Sequence, residues 1–86
     1  MIEMSEENKK IVRELRDRLY AKRENGVYDK ESEDWINLNK IIDNFYKEQN
    51  ITKDEYIFDA WTGVAFTKQE QKEGKIREYR KSMGFL

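Results

Sequence analysis

Tyr56-Ile-Phe-Asp-Ala-Trp-Thr-Gly-Val-Ala-Phe-Thr67 breaks the pattern of the rest of the chain. Elsewhere single apolar residues alternate with charge. Here Tyr56, Ile57 and Phe58 run into Asp59-Ala-Trp-Thr-Gly63, and Val64, Ala65 and Phe66 follow. The residues flanking Asp59-Ala-Trp-Thr-Gly63 are aromatic or β-branched and favour strands on both sides. Asp opens type I turns, and Gly closes them at positive φ, which gives a hairpin connection of four or five residues. The expected strands are 55–58 and Val64–Thr67.

A helical reading competes with this one. Thr52-Lys-Asp-Glu55 has capping-box spacing, and a helix begun there would put Tyr56, Ile57, Ala60 and Trp61 on one face. That alternative is an all-α four-helix domain. The strand propensity of the flanks favours an α+β domain instead, in the order α-α-β-β-α: a helical hairpin, a two-stranded β-hairpin and a C-terminal helix. A lone ribbon is marginal in water, so it must lie on the helices or on another chain. Unprotected strand edges pair with each other, which leaves a homodimer open.

The helices on either side are plain in the sequence. In 5–25, Ile11, Val12, Leu15 and Leu19 recur at helical spacing, Ser5 is a candidate N-cap, and Gly26 with Val27 gives a stop. A second helix starts at Asp29 or Ser32 and runs to about Gln49, with Trp35, Leu38, Ile42 and Phe45 as its stripe. Asn50-Ile51 repeats the stop with Asn in place of Gly. The short connection between them predicts an antiparallel pair with facing stripes. Thr67-Lys-Gln-Glu70 is a second capping box and opens a last helix to about Ser82, with Ile76, Tyr79 and Met83 on a thin stripe. Gly74 inside it predicts a kink or a late start. Met83-Gly84-Phe85-Leu86 is a third Gly-then-apolar stop.

Composition narrows the chemistry. The 86 residues make one domain, 1–86, and 41% of them are charged, so the core is small. There is no histidine and no cysteine. Ser-His-Asp and Cys-His catalysis are therefore excluded, as are zinc sites of imidazole or thiolate. Asp29-Lys-Glu-Ser-Glu-Asp34 lacks the Gly and the closing Glu of a calcium loop, so Glu31, Glu33 and Asp34 read as an acidic first helical turn. Asp59 reads as the turn-opening carboxylate. The four glycines are isolated, so no phosphate loop exists. The expectation is a protein that is not an enzyme, with no catalytic residue, no metal and no cofactor. No stretch approaches a membrane span, and the first residues lack the pattern of a signal peptide, so a cytoplasmic location is expected.

The net charge of −1 conceals a partition. Residues 5–23 hold seven basic and four acidic side chains, 24–59 four basic and ten acidic, and 68–81 six basic and three acidic. The bland reading is internal complementarity, with two basic helices around an acidic one. The sharper reading is a surface that meets a partner. Trp61 inside the turn is a candidate anchor, because Trp removes much apolar area from water at little entropic cost. Its structural alternative is a lid folded over Phe66 or the last helix. Phe85 carries the same choice. Arg77, Arg80 and Lys81 complete the candidate partner-binding set.

The favoured function is a small non-enzymatic protein-interaction module that occupies a surface on a larger protein. The Lys, Glu, Asn, Ile and Tyr enrichment suits a phage- or bacterium-encoded inhibitor or regulator. The alternative is a small nucleic-acid-binding regulatory module that meets phosphate through the basic first and last helices, with the hairpin as a wing. The net acidic balance and the lack of a stacking platform beyond Tyr79 and Trp61 count against it.

Overall fold

Residues 56–67 fold as a β-hairpin. In the computed structural model, which describes residues 1–85, β2 (Tyr56–Asp59) pairs antiparallel with β3 (Val64–Thr67), Ile57 facing Phe66 and Phe58 facing Ala65. The Thr52–Glu55 capping box does not form: the Thr52 hydroxyl donates directly to the Glu55 carboxylate at 3.0 Å. The segment makes a single turn, in which the Glu55 and Tyr56 N–H groups donate to the Thr52 carbonyl at 3.2 and 3.0 Å. The strand-forming residues that follow take the chain into the sheet. The domain is α+β.

The expected two-stranded ribbon is in fact a three-stranded sheet. Ile2 and Glu3 form β1, which pairs antiparallel with β3, Ile2 facing Ala65 and Glu3 facing Val64, so the strand order is β1-β3-β2. Two residues are too few to show alternation. The signal lies in the partner: Val64, Ala65 and Phe66 are apolar in succession, as in a strand covered on both faces, and all three are fully buried.

Pleating assigns the two faces. Phe58 and Ala65 turn towards the pair α1 (Glu6–Lys22) and α2 (Glu33–Glu48), where Met4, Val12, Leu15, Leu19, Leu38 and Phe45 complete the main core. Ile57, Asp59 and Phe66 turn the other way, towards the last helical segment. The hairpin is the middle layer between two helical ones.

One boundary differs from the sequence reading through backbone chemistry, and two others are decided among the alternatives it gave. The first helix stops at Lys22, and Gly26 does not cap it. Asn25 (φ 51°) and Gly26 (φ 77°) form a two-residue turn closed by paired Glu24–Val27 hydrogen bonds at 3.1 and 2.9 Å. Asn-Gly favours that primed geometry. Val27 is consequently 67% exposed and does not fold back on the helix; Tyr28 packs on Trp35 instead. Of the two candidate caps for α2, Ser32 is the one used, accepting the Trp35 N–H at 3.2 Å, while Asp29 accepts from the Glu31 N–H. The last helix is divided by Gly74, at φ 77°, into α3 (Lys68–Lys72) and α4 (Lys75–Ser82).

Other stops form as expected. The Ile51 N–H reaches the Tyr46 carbonyl at 3.1 Å and the Asn50 N–H reaches Lys47 at 3.1 Å, a Schellman motif on Asn50 at φ 54°. The Thr67–Glu70 capping box is complete. Gly84 and Phe85 close α4 with a second Schellman motif, through bonds to Lys81 and Arg80 at 3.1 and 2.9 Å. Leu86, part of the expected apolar terminus, lies outside the described residues. Among the described residues no helix is long and apolar enough to cross a membrane.

Candidate functional site

The turn 59–63 is held from three sides. Asp59, almost wholly buried, accepts the Gly63 N–H on its carbonyl at 2.8 Å. Its carboxylate accepts the Thr62 hydroxyl at 2.9 Å, the Trp61 N–H at 3.4 Å and the Arg80 Nε–H at 3.1 Å, with a second, shorter bond from Arg80 Nη2. From below, the stem of Lys9 runs under Gly63, and its ammonium lies 3.3 Å from both Glu3 and Glu6. From the side, Arg16 Nη1 donates to the Ala60 and Trp61 carbonyls at 3.3 Å each. The Asp59 expectation is therefore realised, and Arg80 joins it from α4.

This scaffold projects Trp61. The ring is 36% exposed, yet three side chains fix it: the Arg16 guanidinium lies 4.2 Å over its centroid, and Tyr20 and Phe85 meet it edge-on at 6.3 and 6.1 Å. Trp61 does not cover Phe66; Tyr79 does, at 5.9 Å. The Arg23 guanidinium stacks 3.7 Å above exposed Tyr20, extending the patch. A crevice of about 150 Å³ opens beside it between Tyr28, Trp35, Leu38 and Trp61.

The five candidate residues thus divide. Trp61 and Phe85 come together in the aromatic patch. Arg77 and Arg80 line a separate groove with Ile57 and Ile76. Lys81 is exposed on α4 and takes no ion pair among the described residues. Sequence reading passed over Tyr20 and Arg23, and counted Arg16 only in a basic face that would meet phosphate. The available signal was Tyr20, an aromatic lying off the Val12-Leu15-Leu19 stripe with arginines four residues before it and three after.

Several other titratable groups are used internally. The Tyr79 hydroxyl donates to Glu3, and that bond together with Lys9 holds the Glu3 carboxyl below the usual range. Tyr79 therefore does not form a stacking platform with Trp61. Asp34 accepts a forked pair from Arg18 at 3.1 and 3.0 Å, which lowers its pKa. Among the described residues, no three Asp or Glu carboxylates gather as a metal site would require.

Comparison with family models, with curated proteins and with solved structures gave no match to this chain.

Proposed function

We propose that this protein is a non-enzymatic interaction module that acts by occupying a surface on a larger protein, with the hairpin tip as its anchor. One observation carries the reading: Trp61 is exposed while its backbone is held by Asp59 and Arg16 and its ring by Arg16, Tyr20 and Phe85. A ring already fixed in place loses little side-chain entropy on docking, which is the property of an interface hot spot. Trp, Tyr and Arg are also the residue types enriched in such spots. In this reading the protein regulates or inhibits its partner by steric cover.

The test is affinity capture from the source cell with the native chain and with Trp61→Ala. The native chain should retain one discrete protein partner and the variant should lose it, with affinity reduced at least about 30-fold, the ratio for 2 kcal/mol. Circular dichroism should show the variant still folded. Unchanged capture by a folded variant rejects the anchor. A gel shift at low salt that weakens steeply as salt is added would favour nucleic-acid binding instead.

A further inference from the structure

The second concavity lies on the other side of Asp59. A groove of about 530 Å³ runs between β2 and α4, and its walls are Ile57 and Phe58 from the strand and Ile76, Arg77 and Arg80 from the helix. Ile57 and Ile76 are half-buried, so their free faces form an apolar floor. The only carboxylate in the lining is Asp59, and both its oxygens are taken by Arg80, Thr62 and the Trp61 N–H. Arg77 is exposed at the rim and has no ion pair among the described residues. The surrounding segment, 68–81, holds six basic side chains against three acidic ones. A ligand entering this groove therefore meets apolar surface below and a net positive charge at the edge.

The outer edge of β2 limits how an occupant can bind. The Tyr46 hydroxyl donates to the Tyr56 carbonyl at 3.0 Å, so the edge is already occupied near its start. An added strand would have to displace that bond. Recognition through side chains is the mode left.

We propose that the groove between β2 and α4 binds an acidic peptide segment of a protein partner, taking one large apolar side chain against Ile57 and Ile76 and pairing a neighbouring carboxylate with Arg77. An apolar pocket beside an arginine with free donors suits that combination, because carboxylates accept two parallel guanidinium bonds. The site goes beyond the aromatic patch: it uses different side chains and can fail while the patch stands.

The test uses fluorescence anisotropy of the full chain with a labelled peptide of alternating Glu and Leu carrying one Phe. Saturable binding is expected, weakened about tenfold by Arg77→Glu and less by Arg77→Gln, since a rim charge is reversed in one and removed in the other. Because Arg77 is exposed, both variants should keep the native circular dichroism. In ¹⁵N spectra the largest shifts should fall on Ile57, Ile76 and Arg77. Shifts centred on the Trp61 indole would overturn the assignment. So would equal binding of polyglutamate, which lacks the apolar side chain, or of a single-stranded oligonucleotide with the same Arg77 dependence. Self-association of the native chain that Arg77→Glu abolishes would also overturn it, by making a second copy the occupant.

Discussion

Gly63 and Gly74 share a left-handed backbone, φ 72° and 77°, but sit in different surroundings. A Cβ on Gly74 meets nothing within 4 Å, whereas one on Gly63 would come within 2.5 Å of Lys9 Cγ. Gly74→Ala should therefore cost only the left-handed penalty, about 1–2 kcal/mol. Gly63→Ala should cost more, since the Lys9 stem must shift and its ammonium leaves Glu3 and Glu6. Thermal melts of the two variants give the comparison, and equal losses would show that the Lys9 packing contributes nothing. The need for Gly63 was legible, because Asp-x-x-x-Gly is turn chemistry. Lys9 was not: a lysine on a charged helix reads as solvated, and only the tertiary fold reveals its stem beneath the turn. Trp61 was legible as an anchor candidate, but the residues that fix it, Arg16 and Tyr20, come from a helix more than forty positions away.

At the scale of elements, the edges of the sheet are the point of control. Tyr46 reaches from α2 to the outer edge of β2, and burial pushes its phenol above the usual pKa, partly offset by the Phe58 N–H. Tyr46→Phe preserves the ring packed against Phe45 but leaves the edge groups unpaired. The expected loss is about 1–3 kcal/mol, the cost of an unsatisfied buried group. Light scattering at raised concentration should also show more association, because an open edge invites pairing; a variant that melts and scatters like the native chain would refute the guarding role. Helices α1 and α2 and the hairpin were readable from periodicity and turn residues. Two elements were not. β1 is too short to carry a pattern, and the Asn25-Gly26 turn offers the same residues to a helix stop and to a tight reversal. The separation of α3 from α4 was visible in Gly74 as a kink or a late start.

Across the whole molecule, the charge partition is only partly spent inside. Asp34 meets Arg18 and Lys22 of α1, and Asp59 meets Arg80 of α4, which is the complementarity expected between the acidic middle and the basic ends. Glu31, Glu33, Glu48 and Asp54 remain exposed on the surface, and Arg77 and Lys81 on the other side of the ledger remain free among the described residues. The titrating groups set a stability window. Glu3, Asp34 and Glu70 have lowered pKa values, so their contribution is present above the ordinary carboxylate range, about 4, and fades as pH falls through the lowered values. Tyr46 and Tyr79 are raised, the first by burial and the second by its bond to Glu3, so theirs is present below about 10 and fades as pH rises through the raised values. The melting temperature should be flat from about pH 5 to 9 and fall on both sides. A steady rise from pH 9 to 11 would contradict the assignment of the two tyrosines.

The pairing of Ile2 with Ala65 also carries an expectation about the order of assembly. The α1–α2 pair and the β2–β3 hairpin join neighbours in sequence, and each can close a short loop. β1 closes a loop of some sixty residues, and entropy opposes it until both ends are already held near each other. Its partner edge on β3 exists only after the hairpin has formed, and the Met4 N–H bond to the Gly63 carbonyl waits on the same turn. Loop-closure entropy therefore predicts that β1 is laid down last, as a latch on elements that neighbours in sequence close first.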